Sequence, residues 1–228
     1  MGTWADFFQN MDWVGLLFFL FTVAASLLCI TLHELSHGFV AYRLGDPTAK
    51  QAGRLTFNPL KHIDLLGLLM MLMVHVGWAK PVPIDLRQFK HPKRDMAFTA
   101  LAGPAMNFLL SYLALLFGHA IYRWSPNTTV TWYILLALMY IAVLSLGLGM
   151  FNLIPISPLD GSKILLSFLP NKVCITILRY ERFLAIGMVL LALFGAFDGI
   201  LHFMIGHVME GLCFLSGFPY ELITILML

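Results

Sequence analysis

VGLLFFLFTVAASLLCITLHELSH, residues Val14 to His37, joins an uncharged apolar run to a compact cluster of metal-binding chemistry. From Val14 to Leu32 the only ionisable side chain is the thiol of Cys29, and roughly 20 apolar residues suffice to cross a bilayer as a helix. On a helix, positions four apart share a face, so the imidazoles of His33 and His37 can converge on one metal ion. Glu34, beside the first of them, is placed to act as general base on a metal-bound water. Eight His residues and the few Glu residues in this chain predict only ~0.005 His-Glu-x-x-His matches, so chance is a poor source for this one. The plainer reading, polar residues ending a helix at the headgroups, is opposed by the cost of Glu and His near hydrocarbon.

A catalytic zinc usually takes three protein ligands and keeps a fourth position open, so a further His, Asp, Glu or Cys is needed. The best candidate is Asp160, in the stretch Asn152-Leu153-Ile154-Pro155-Ile156-Ser157-Pro158-Leu159-Asp160-Gly161. Two prolines and a glycine there break the preceding apolar helix before the carboxylate. Asp-Gly is also a common turn dipeptide, which is the structural alternative for this position.

With both segments in view, the chain resembles the site-2 proteases, a family of intramembrane zinc metalloproteases. Its two motifs, His-Glu-x-x-His on one membrane helix and Asn-x-x-Pro-x-x-x-Leu-Asp-Gly on a later one, are both present. The resemblance implies that His33, His37 and Asp160 hold one zinc ion per chain and that Glu34 is the catalytic base. It further implies that Asn152 and the bend at Pro155 position substrate or stabilise the oxyanion, with Asn107 near the site. The segments Gly45–Asp64, Gly77–Pro83 and Ala102–Asn107 also look like family core sequence, extending the likeness over about residues 20–195.

Composition agrees with a multispanning membrane protein. The chain is 60% hydrophobic and 11% charged, with mean hydropathy +0.84, whereas soluble domains carry about 25% charged residues. A net charge of +2 with no basic patch gives no indication of a nucleic-acid partner. The N-terminus carries Asp6 and Asp12 rather than Lys or Arg, so the first helix is expected to remain in the mature protein. Cys29, Cys174 and Cys213 are odd in number, far apart and set in apolar sequence, which indicates neither a disulfide framework nor a thiolate metal site.

The expected fold is all-α and polytopic, with about 5–6 membrane helices. Spans are expected at Trp13–Arg43, Met96–Tyr122, Thr131–Phe151 and about Phe183–Phe197, with a short helix over Ser162–Leu169. The run Leu65–Val76 is short enough to be re-entrant. Thr48–Phe57 is compatible with a small membrane-associated β-hairpin, which would offer an edge to an extended substrate or be an ordinary surface hairpin. The whole of 1–228 is expected to form one membrane-embedded domain, with a catalytic core at about 13–197 and an apolar tail of uncertain path at 199–228.

Lys and Arg cluster at 43–64, 80–95 and 172–182, which puts those loops and the nearby site on the cytoplasmic side of the cell membrane. The function expected is a zinc endopeptidase that cuts a membrane-anchored protein near that face. The rival classes are another membrane zinc hydrolase acting on soluble or lipidated peptides, and a catalytically idle membrane adaptor or transporter retaining the motif. The lipid bilayer and a membrane-anchored substrate are the expected partners. The sequence does not set the oligomeric state.

Overall fold

A computed structural model describes residues 13–64, 67 and 80–227 of the chain. Its helices in chain order are α1 (Trp13–Arg43), α2 (Thr48–Gln51), α3 (Pro92–Trp124), α4 (Thr129–Asn152), α5 (Asp160–Phe168), α6 (Asn171–Arg179), α7 (Glu181–Leu193), α8 (Asp198–Ser216) and α9 (Tyr220–Met227). Among the described residues, α1, α3, α4 and α8 are long and apolar enough to cross a membrane.

Local chemistry explains where the long helices start. Pro92 takes the first position of α3, where its missing N–H is no loss, and the Asp95 carboxylate accepts the backbone N–H of His91 at 3.0 Å. Thr128 begins α4, its hydroxyl accepting the Thr131 N–H at 3.2 Å. Within α3, Pro104 interrupts the hydrogen-bond ladder, which membrane helices tolerate where neighbouring helices cover the break.

Helix α3 is the hub, packed on α1, α4, α5 and α8. One end of this bundle is closed by Leu115, Leu135, Met139, Leu146, Met209, Cys213, Phe218 and Ile223, drawn from α3, α4, α8, α9 and the α8–α9 turn. Small residues let the backbones approach: Ala142, Ser145, Gly149 and Ser111 are buried along the α3–α4 seam, the membrane-protein substitute for a hydrophobic driving force. Phe197 meets Phe151 at the end of α4 with ring centroids 6.1 Å apart, while Phe218 packs near Tyr122 at the end of α3. Helix α8 therefore runs antiparallel to α4, returning the chain to the far end of the bundle.

Three expectations change against this structure. The stretch Thr48–Phe57 is no hairpin: Asp46 accepts the Thr48 N–H at 2.9 Å and its hydroxyl as well, and this local capping starts the single turn α2, followed by bends. The span expected at Phe183–Phe197 is the 13-residue α7, about 20 Å long at 1.5 Å per residue and so too short to cross. It stops where Gly195 adopts φ +69°, a left-handed turn that a side chain would strain. The apolar tail, whose path the sequence left open, forms α8 and α9 and joins the core. Four spanning candidates are thus found among the described residues where about 5–6 were expected; the expected re-entrant run Leu65–Val76 lies, but for Gly67, outside the described residues.

The α3–α4 seam makes a direct prediction. A Cβ on Gly149 would lie 3.1 Å from Asn107 Cβ and 3.3 Å from the Pro104 carbonyl, so Gly149→Val should cost about 1–3 kcal/mol through overpacking. Thermal unfolding in micelles would show a lowered midpoint; an unchanged midpoint would mean the two helices are free to separate there.

Candidate metal centre

The His-Glu-x-x-His stretch lies in the last third of α1, with His33 and His37 turned inward and only 4% and 6% exposed. Asp160 opens α5 and is equally buried at 5%. The three meet closely: His33 Nε2 and Asp160 Oδ2 are 3.1 Å apart, His37 Nε2 and Asp160 Oδ2 3.0 Å, and the two imidazole Nε2 atoms 3.0 Å. Among the described residues this is the one group of His, Cys, Asp and Glu side chains whose ligand atoms cluster tightly enough to hold a metal ion.

Zinc bonds of about 2.0–2.1 Å at tetrahedral angles put ligand atoms roughly 3.3 Å apart, close to the spacing seen here. The tautomers fit as well. His37 Nδ1 donates to the Thr99 carbonyl at 2.7 Å, which leaves the Nε2 lone pair facing the cluster. Behind His33, the Asn107 side chain lies 3.2 Å from Nδ1 through its amide nitrogen, and its Oδ1 is buried without a partner. Ligation through His33 Nε2 puts the proton on Nδ1, and a half-turn of the Asn107 amide then gives that proton the waiting Oδ1 acceptor. The donor set, its two supports and the orphaned oxygen all suit a bound zinc.

Backbone contacts decide whether the cluster can close. A Cβ on Gly103 would sit 2.4 Å from His37 Nε2 and 2.6 Å from His33 Nε2. On Gly161 it would come 2.2 Å from the Leu153 carbonyl, so the glycine after Asp160 lets α5 start directly against the end of α4. Asp160 lies outside the four long helices. Burial opposes its charged form, and the nearby Lys163 ammonium favours it. Lys163, one turn on, donates to Oδ1 at 3.2 Å, so Oδ2 alone faces the imidazoles.

Glu34, on the adjoining side of α1, borders a cleft with two lobes. A lobe of about 350 Å³ is lined by Val82, Met96, Leu166 and Leu178. A larger apolar lobe of about 660 Å³ is lined by Ile30, Leu148, Phe151, Asn152 and residues of α7. Glu34, Pro81, Asp160 and Lys163 border both lobes, so the two meet at the cluster, and α6–α7 runs across them from Leu178 to Leu190. One oxygen of Glu34, Oε2, accepts the Val82 N–H at 2.9 Å.

The other expected site residues are placed differently. Asn152 lines the large lobe, its amide donating to the Leu148 carbonyl at 3.0 Å. Pro155 is exposed in the bend after α4 and shapes the chain rather than the cleft wall. Asn107 is wholly buried behind His33, its amide nitrogen 3.2 Å from Nδ1. Sequence reading missed Gly103, Thr99 and Lys163: the first two act through backbone, and the last carries a signal only through its spacing of three from Asp160.

The sequence profile of peptidase family M50 matches residues 119–194, which include Asn152 and Asp160. The chain is 35% identical over 155 residues to the protein named "Putative zinc metalloprotease YwhC" of Bacillus subtilis, an alignment covering 67% of this chain and 71% of that one. This chain belongs to peptidase family M50. As a member of M50, the site-2 protease family, it is a zinc metalloendopeptidase. It is also 34% identical over 161 residues to "Putative zinc metalloprotease Rip2" of Mycolicibacterium smegmatis, over 69% of this chain and 60% of the relative. The Rip2 of Mycobacterium tuberculosis is 29% identical over 157 residues, covering 67% and 58%. No solved structure matches the chain.

Gly103→Ala tests how closely the backbone must approach this cluster. The added methyl would push both imidazoles apart, and bound zinc per chain, measured by atomic emission after purification, should fall well below wild type. Full zinc occupancy in that variant would show that the imidazoles do not need the space above Gly103.

Proposed function

We propose that this M50 peptidase is an intramembrane zinc endopeptidase that cuts a membrane-anchored protein near the cytoplasmic face. The observation that carries the reading is the cleft: buried ligands, a carboxylate base and an apolar lobe share one opening below the basic end of the bundle. His33 and His37 lie ten and six residues before Arg43, which puts them about 15 and 9 Å along the helix from that end. Arg43 ends α1, Lys50 and Lys61 follow it, and Lys90, Lys93 and Lys172 flank the starts of α3 and α6, the cytoplasmic arrangement by the positive-inside rule.

In this reading His33, His37 and Asp160 hold one zinc ion, which supplies Lewis acidity toward water and toward the scissile carbonyl. Glu34 takes the proton of the attacking water at Oε1, the oxygen not engaged by Val82, and passes it to the leaving amine. Lys163 keeps Asp160 oriented by holding Oδ1. The Asn152 amide, already in the cleft wall, donates to the developing oxyanion. The apolar lobe between α1, α4 and α7 takes side chains of an unwound membrane segment, excluding bulk water from the bond being cut. Residues 13–197 supply the site, and α8 and α9 complete one membrane-embedded domain around it.

The test is cleavage, in lipid nanodiscs, of a single-span reporter of roughly 20 apolar residues with a Gly-Pro break near its cytoplasmic end. Wild type should release the fluorescent product, while Glu34→Gln, with zinc content unchanged, should lose on the order of 10²-fold or more in kcat. Equal turnover by Glu34→Gln would remove Glu34 from the chemistry. Cleavage of soluble peptides with no cutting of the anchored reporter would overturn the membrane-substrate reading.

A further inference from the structure

The segment Lys80–Asp85 lines the cleft as a strap with no regular structure of its own, held by hydrogen bonds at both ends and in the middle. Its Lys80 N–H donates to the His62 carbonyl at 2.9 Å. At the other end the Asp85 N–H donates to Oδ2 of the fully buried Asp46 at 2.8 Å. Pro81 and Pro83 have no N–H, so Val82 supplies the only backbone donor of 81–83. That donor goes to Glu34 Oε2 at 2.9 Å.

The carbonyls of the same stretch are held from below. Arg54 is only 7% exposed, and its Nη2 donates to the Lys80 carbonyl and, at 3.1 Å, to the Pro81 carbonyl. A guanidinium is costly to bury, and Nη2 carries two N–H donors, one for each of these neighbouring carbonyls. No carboxylate is within ion-pair distance of Arg54 among the described residues, so its charge is spent on the strap itself. Pro81, gripped by Arg54, borders both lobes of the cleft.

We infer that Arg54 is a positioning residue for the reaction: by clamping Lys80 and Pro81 it sets the Val82 N–H that fixes the Glu34 carboxylate. This rests on the proposed role of Glu34 as base, and it adds a residue from the α2–Pro59 connection that touches neither metal ligands nor substrate. With the clamp in place, Oε2 is pinned and Oε1 is presented to the water. Without it, the strap drifts and the carboxylate turns among rotamers, a loss of alignment that costs rate more than binding.

Two readouts on the full chain in nanodiscs test this. Because Pro81 and Pro83 carry no amide hydrogen, hydrogen exchange across 81–83 reports Val82 alone. Exchange there should quicken in Arg54→Ala toward the level of Glu34→Ala, which removes the acceptor, and Arg54→Lys should restore part of the protection. With the single-span reporter, Arg54→Ala should lower kcat on the order of 10²-fold while KM stays within about twofold and zinc content is unchanged. Unchanged Val82 exchange or unchanged kcat in Arg54→Ala would overturn the inference, as would zinc lost together with activity. A reporter left uncut by wild type would count against the protease reading, and Val82 exchange would still decide the clamp.

Discussion

Two imidazoles from one helix and a carboxylate from another, more than 120 residues apart in the chain, meet within 3.0–3.1 Å in the buried interior. Polar groups at that depth are costly unless every one has a partner, and most of the architecture near the site answers that requirement. Thr99 and Asn107 of α3 take the outer nitrogens of His37 and His33. Ser145 of α4 donates to the Asn107 carbonyl at 3.0 Å, tying α3 and α4 to the same cluster. Lys163 takes the second oxygen of Asp160. Four helices are thus held in register by one knot of polar contacts, in an environment where apolar burial alone gives little specificity.

The knot also dictates where side chains must be absent. Gly103 beneath the imidazoles and Gly161 against the end of α4 each occupy a place where a Cβ would collide with a ligand or a carbonyl. Once His33 and His37 are fixed, the adjoining side of α1 carries Glu34 to the cleft. The strap Lys80–Asp85 then lines that cleft, gripped by Arg54, Asp46 and Glu34. Structure and chemistry are coupled here in a single direction: ligand support determines backbone approach, and backbone approach determines which atoms Glu34 can reach.

Much of this was readable before any coordinates. The uninterrupted run to Leu32 and the spacing of His33 and His37 specify a membrane helix with a metal-binding face, and the Pro-rich break before Asp160 specifies a carboxylate delivered at a helix start. The spans α3 and α4 follow from length and hydropathy alone. What failed to show was decided by contacts distant in sequence or by one local competitor. Asp46 capped Thr48 and turned an expected hairpin into a helical turn. Gly195 stopped α7 short of a span. Glycines and a proline break the apolar sequence of 199–228 and left its path open, although α8 packs on α3 and α4. Arg54 looked like one more basic loop residue, because its burial depends on carbonyls about 26 positions away.

The central claim is that His33, His37 and Asp160 together hold one zinc ion. It is tested most directly by measuring zinc per chain in purified wild-type protein beside Asp160→Ala, after gentle extraction and zinc replenishment, since neither requires a known substrate. The account predicts about one zinc in wild type, as three protein ligands and an open fourth position require, and a clear loss in the variant. Zinc absent from wild type, or retained in full by Asp160→Ala, would contradict it.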